Sequence, residues 1–305
     1  MPKIAVNGIT LAYELFGQGP PFVWTPAGWL ARNEYSYLIA GRLSANYQVL
    51  LWDRRNTGES DVGIEDAPSD MHLMADDLHH LLAALDMSPA YLAGRCSGHT
   101  LSLLVAHRYP EDVKALILNS TPTDDPKLNR PIVNAHYYKL AAAAEEAGMQ
   151  AVIALATDAW VRVVSGTSEP GSWDRLLKGW AETISMNPGN RDRLLAMHPK
   201  AFAAIMRRWG NWCMAGPGHS HGLPYEIIRT IEHPALVLHG FDPLHPRQAA
   251  EALYQQLPNA EWVEYTDRWS QAEIDRAQEE GLATQQVALL LPFIEAFLQR
   301  IESGQ

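Results

Sequence analysis

Cys96 sits where chemistry is easiest to imagine in this chain. The segment Tyr91-Leu92-Ala93-Gly94-Arg95-Cys96-Ser97-Gly98 reads as a short apolar strand running into Gly-x-Cys-x-Gly. A helical pattern follows, with Leu101, Leu103, Leu104, Val105 and Ala106. A strand, a tight glycine-flanked turn and a helix together lift the central side chain to a helix N-terminus. Backbone N–H groups and the helix dipole favour negative charge there, which suits a thiolate nucleophile. The plainer alternative is a buried cysteine that packs as a small apolar residue. The chain has no histidine after His245, which restricts where a base for Cys96 can come from.

Several elements must position that turn. Ile4 to Val6, Asn7-Gly8 and Ile9 to Leu15 predict a β-hairpin with Asn-Gly at its tip. Phe22-Val23-Trp24 and Tyr47 to Trp52 read as buried strands, with helices predicted over Tyr35–Leu43 and Met71–Leu85. The Tyr91 strand, the helix Ser97–Arg108 and the strand Ala115–Leu118 follow. This alternation predicts an α/β fold with a mostly parallel central sheet covered by helices on both faces. From about Thr121 to Arg229 the patterns turn mainly helical. The α/β rhythm returns with the strand Ala235–Leu238, a helix over Pro246–Leu257, a strand over Trp262–Tyr265 and a helix over Gln285–Ile301. The expected division is therefore a core of residues 1–120 and 230–305 with a helical cap of residues 121–229. The cap carries Trp160, Trp173, Trp180, Trp209 and Trp212. Such rings serve either as cap core or as walls of a pocket for an apolar or aromatic ligand.

Composition narrows the partners. A chain of 305 residues, 47% hydrophobic and 19% charged, is of ordinary globular make-up. A formal net charge of -11 argues against nucleic acid or an anionic membrane as partner. Two cysteines form no disulfide framework and point to a reducing, cytoplasmic compartment. No apolar run approaches the roughly 18 residues that span a bilayer. His219-x-His221 has no carboxylate cluster beside it, so no metal site is expected. Gly94 to Gly98 lacks the lysine of a phosphate loop and the spacing of a dinucleotide site. No cofactor is expected; the partner is a small molecule, and a homodimer is allowed.

Four segments, in this order, resemble the α/β-hydrolase superfamily: Leu51–Ser60, Ser88–Pro110, His233–Gly240 and Asp242–Pro246. The resemblance covers nearly the whole chain and implies an α/β-hydrolase fold with a cap. It matches Cys96 to the nucleophile; dienelactone hydrolases and polyhydroxyalkanoate synthases are similar in using cysteine there. It matches the Ser97 N–H to one oxyanion donor, and Ala27 or Gly28 in Thr25-Pro26-Ala27-Gly28-Trp29 to the other, Pro26 having no N–H. It matches Asp242 to the acid that orients a base. The family's histidine after the last strand has no counterpart, since Tyr265-Thr266-Asp267-Arg268-Trp269-Ser270 stands there. Among the substitutes His245, His99, His219 and His221, the one expected to act is His245, which shares a loop with Asp242; His239 reads as structural. Trp29, Arg95, Trp160, Trp212 and Trp269 are expected around the substrate, with Arg95 able to bind a carboxylate.

The reading that follows is a cofactor-independent enzyme in which Cys96 attacks an ester, lactone or thioester of a small apolar or aromatic substrate. The same scaffold also admits a lyase, isomerase or decarboxylase, or a ligand-binding pseudoenzyme that has lost its base.

Overall fold

The computed structural model describes residues 1–169, 174–240, 242–264, 270, 272–273 and 283–304. Strands β1 (Lys3–Val6) and β2 (Ile9–Phe16) form the predicted hairpin, in register Val6↔Ile9. Its turn places Asn7 and Gly8 at φ 48° and 73°, the left-handed pair that a tight hairpin requires. Next come β3 (Pro21–Thr25), α1 (Glu34–Leu43), β4 (Gln48–Trp52), α2 (Asp70–Ala84), β5 (Ala90–Arg95), α3 (Ser97–Arg108) and β6 (Val113–Asn119). A helical insertion follows β6: α4 (Pro126–Val133), a π-helical turn (Asn134–Tyr138), α5 (Lys139–Ala147), α6 (Met149–Val164), α7 (Lys178–Met186), α8 (Gly189–Leu195) and α9 (Pro199–Cys213). The hairpin of β7 (His219–Ser220) and β8 (Leu223–Pro224) and the short α10 (Tyr225–Ile228) lead back to β9 (Ala235–Leu238). Then come α11 (Arg247–Tyr254), β10 (Ala260–Trp262) and a C-terminal helix Ala283–Ser303.

The main sheet has the order β1-β2-β4-β3-β5-β6-β9-β10. Pairing is antiparallel at the β1, β2 and β4 edge and parallel from β4 through β10. The parallel strands are apolar on both faces because helices cover both. Their alternation sorts the core. Val23, Leu50, Trp52, Leu92, Leu116 and Val237 join one buried cluster with residues of α2, α3 and the insertion. Phe22, Trp24, Val49, Leu51, Tyr91, Ile117 and Leu236 join the other, with α1 and the C-terminal helix.

The last strand departs from the sequence pattern. Expected over Trp262–Tyr265, it lies at Ala260–Trp262, where Ala260 and Trp262 stand beside Ala235 and Val237 of β9. Pairing with a neighbouring strand fixes register, and the apolar run of 262–265 carries no such information. Tyr265 lies outside the described residues. Among the described residues, no helix is long and apolar enough to cross a membrane.

Candidate active site

The turn after β5 places Cys96 at φ 54° and ψ -124°, a strained conformation for a residue with a side chain. The neighbours hold it there. Cys96 N donates to Asn119 O at 3.0 Å, and His99 N donates to Cys96 O at 3.0 Å. A Cβ on Gly94 would strike the Gly98 backbone, and one on Gly98 would strike the carbonyl oxygens of Thr25 and Pro26. The two glycines therefore allow the strand, the turn and the loop after β3 to touch.

That loop carries the second half of the site. Gly28 adopts φ 53°, and its N–H, like that of Ser97, faces the Cys96 sulfur and favours its charged form. Ser97 Oγ donates to Gly28 O at 2.9 Å, so the loop and the turn are bound directly to each other. Arg54 is fully buried behind them. Its Nη1 donates to Ser97 Oγ at 3.4 Å and its Nη2 to Leu30 O at 3.2 Å. Asp53 clamps the far end of the loop, accepting from Arg32 N at 2.9 Å, Arg32 Nε at 3.0 Å and Arg32 Nη2 at 3.0 Å.

His245 reaches Cys96. Its imidazole faces the thiol closely enough that each group favours the other's charged form, and its Nδ1 donates to both Asp242 carboxylate oxygens at 2.9 Å. Asp242 Oδ1 also accepts from Leu244 N at 2.9 Å and His245 N at 3.1 Å, so a single carboxylate shapes the loop and orients the ring. A Cβ on Gly240 would strike His245, which leaves glycine there to admit the imidazole. Burial alone would raise the Cys96 thiol, but the His245 charge and the two backbone N–H groups outweigh it and bring it below the ordinary 9.0. Burial lowers His245, yet the sulfur and Asp242 together push it up to about 10. The two shifts, the thiol down and the imidazole up, both favour a thiolate beside an imidazolium.

The other histidines considered as bases lie elsewhere. His99 is buried in α3, and burial together with the neighbouring imidazoles holds it down at about 3. His219 Nδ1 faces Pro217 O at 3.3 Å. His239 stacks on Trp262 with centroids 5.5 Å apart. His221 lines the cavity described next. The segment where the family's histidine is absent, Tyr265 to Trp269, lies outside the described residues.

Cys96 and His245 open onto a cavity of about 230 Å³. Its walls include Ala27, Gly28, Trp29, Ile132, Val133, Leu176 and Leu244, with Asn129, Arg175 and Lys178 as its polar and charged members. Trp29 is held by its Nε1, which donates to the buried Asp70 at 2.9 Å, and Tyr137 from the insertion donates to the same carboxylate at 2.8 Å. Three residues expected around the substrate do not line this cavity. Arg95 shares the sheet face of Tyr91 and Ala93, so its guanidinium lies over the Tyr35 ring at 5.2 Å, on the α1 side. Trp212 meets His72 with centroids 5.5 Å apart and closes over Gly222. Trp160 lies under the Lys178 ammonium at 5.5 Å. Trp173 and Trp269 lie outside the described residues. His136, which lines the cavity from the π-helical turn, carries no signal in the sequence, because helical periodicity gives no sign of such a turn.

The comparisons with known proteins agree with this architecture. A family model described as alpha/beta hydrolase fold matches residues 26–267, and the chain belongs to that family. It is 25% identical over 243 residues to a proline iminopeptidase of Lactobacillus delbrueckii subsp. bulgaricus, covering 76% of this chain and 77% of that protein. It is 29% identical over 114 residues to the uncharacterized hydrolase YraK of Bacillus subtilis (strain 168), covering 37% of this chain and 42% of YraK, less than half of that relative's length. The crystal structure of the enol-lactonase from Burkholderia xenovorans LB400 is similar with a TM-score of 0.54 at 18% identity, covering 95% of this chain and 100% of the lactonase. That last likeness is one of fold alone. The chain is a hydrolytic enzyme of the α/β-hydrolase class.

Proposed function

We propose that the protein hydrolyses a small ester or lactone through a thioester on Cys96, with residues 121–229 acting as a cap domain over a core of residues 1–120 and 230–305. The observation that carries this reading is the line of Cys96, His245 and Asp242 at the head of an apolar cavity, with two backbone N–H groups directed at the sulfur. The Cys96 thiolate attacks the carbonyl carbon, and the carbonyl electron pair moves onto oxygen. The N–H groups of Ser97 and Gly28 receive that oxyanion. The loss of one such donor typically costs about 3–4 kcal/mol of barrier. Collapse expels the alkoxide, which takes the proton from His245. His245, now neutral and oriented by Asp242, takes a proton from water as the water oxygen attacks the thioester. The second collapse releases the acid and restores the thiolate and imidazolium.

Intact-mass measurement during exposure to p-nitrophenyl acetate tests this, with nitrophenol release followed in parallel on the wild type, Cys96→Ala and His245→Ala. The expected result is steady turnover in the wild type, none in Cys96→Ala, and a persisting acetyl adduct in His245→Ala. Turnover that survives Cys96→Ala would overturn the reading.

A further inference from the structure

Two buried histidines in this cavity have no hydrogen-bond partner among the described residues. His136 is 6% exposed and His221 is 7% exposed, and both line the cavity that holds Cys96. The Nδ1 atom of each is sealed and has no hydrogen-bond partner among the described residues, so the Nε2 atom is the one that a ligand in the cavity can reach. Neither ring is hydrogen-bonded through its other nitrogen by any described residue. The third histidine of the cavity, His245, is tied to Asp242 and Cys96. A buried polar group left without a partner is costly, and folded proteins contain few of them.

The backbone leaves regular geometry to bring both rings in. His136 lies in the π-helical turn Asn134–Tyr138, and such turns are frequent at functional sites. His221 takes φ 47° and Gly222 φ 88° in the turn joining β7 and β8, so a residue with a full side chain occupies a left-handed position. Both rings are set against Trp29, His136 with centroids 4.0 Å apart and His221 edge-on at 6.3 Å. Trp29 is itself pinned by Asp70, so the two rings share a rigid support.

Their charge state selects the kind of group they can bind. Burial and the nearby Arg54 charge push His136 down to about 3, and burial and His245 push His221 down to about 4. At neutral pH each is an uncharged imidazole with one donor and one acceptor. Such a ring offers no countercharge to a carboxylate, and suits a hydroxyl or carbonyl oxygen.

We infer that the acyl chain of the substrate carries an uncharged oxygen function, hydroxyl or oxo, which hydrogen-bonds to His136 and His221 while Cys96 attacks the scissile carbonyl. This inference rests on the hydrolytic reading of Cys96 and names the substrate class of that same site. It makes the two histidines the specificity determinants.

The test compares kcat/KM for the p-nitrophenyl esters of hexanoate, 3-hydroxyhexanoate, 5-oxohexanoate and adipate, the last bearing a free carboxylate. Wild type is expected to favour at least one hydroxyl or oxo ester over hexanoate by about tenfold or more, because a site built to hydrogen-bond an oxygen disfavours the analogue lacking it. His136→Phe, which keeps a ring on Trp29, and His221→Asn, which tolerates the left-handed turn, are expected to bring that ratio toward one. His136→Gln, which keeps an N–H donor, should retain part of it. Equal kcat/KM for hexanoate and both oxygenated esters in the wild type would overturn the inference without need of any variant. So would an oxygen preference that survives in both His136→Phe and His221→Asn, or a preference for the adipate ester that disappears in Arg175→Ala. Mass analysis of the Cys96 acyl adduct on hexanoate reports separately on the hydrolytic reading, so failure of one is not mistaken for failure of the other.

Discussion

Replacing His245 by alanine removes the group on which both halves of the proposed reaction depend. In the wild type, burial opposes ionisation of Cys96, and the imidazolium charge, its hydrogen bond and the Ser97 and Gly28 N–H groups together overcome it. Without the imidazole, the two strongest of those favourable influences are gone and the burial remains. A buried thiol at or above its ordinary value of 9.0 is at most ~1% thiolate at pH 7. The variant also has no group to protonate the leaving alkoxide or to take a proton from water, which typically costs about 10²- to 10⁴-fold. That corresponds to about 3–5 kcal/mol of barrier. Rapid mixing with p-nitrophenyl acetate separates the two halves. The expected record is a slow single burst of nitrophenol with almost no steady phase. Iodoacetamide alkylation of Cys96 should slow at pH 7 and recover only as pH rises toward 9 and above. A His245→Ala protein that alkylates at pH 7 as fast as the wild type, or whose steady turnover falls less than ~10-fold, would refute the pairing as the source of reactivity.

Three further outcomes follow from the same geometry. His245 keeps its proton until about pH 10, so wild-type kcat/KM should decline on the alkaline side as pH passes about 10, where the imidazolium is lost, and on the acid side as the depressed Cys96 thiolate takes up a proton; a pH–rate profile with an alkaline limb near 7 would contradict this. Gly98→Ala would drive a methyl group into the Thr25 and Pro26 carbonyls, with an expected loss of about 1–3 kcal/mol in urea unfolding and a lower kcat, because the Gly28 N–H moves off the sulfur. Arg54→Met should destabilise by about 1–3 kcal/mol, since it leaves the Leu30 carbonyl and Ser97 hydroxyl without their donor and removes a charge that acts on the buried Asp70; in Arg54→Met/Asp70→Asn part of that loss should return, and a double variant as unstable as the sum of the singles would count against coupling of the two.

The local sequence was informative wherever a local constraint decided the structure. Asn7-Gly8 forms the hairpin because its two residues tolerate φ above zero. Gly94 and Gly98 mark the nucleophile turn because any Cβ there would meet backbone, and the helix behind it runs over Ser97–Arg108 as its spacing predicts. Asp242 and His245 were legible as a pair because they stand three positions apart in one loop, although only the folded loop shows the ring lying against both carboxylate oxygens.

The walls of the cavity were not legible, and the reason is physical. Arg95 is the neighbour of Cys96 in sequence, yet strand alternation turns it toward Tyr35 on the opposite face. Trp160 and Trp212 are large aromatic rings of the insertion, but packing against Lys178, His72 and Gly222 holds them outside the cavity wall. His136 and His221 lie 85 residues apart, on a π-helical turn and a left-handed hairpin turn, and they come together only because both pack against Trp29. The sequence by itself determined the glycine-flanked turn that carries Cys96 and the order of strands and helices, all of which rest on contacts within a few residues. The tertiary structure alone brought His245 to Cys96, because β5, β6 and β9 must first lie side by side in the sheet, and it alone decided which side chains line the cavity, because the insertion must pack onto that sheet.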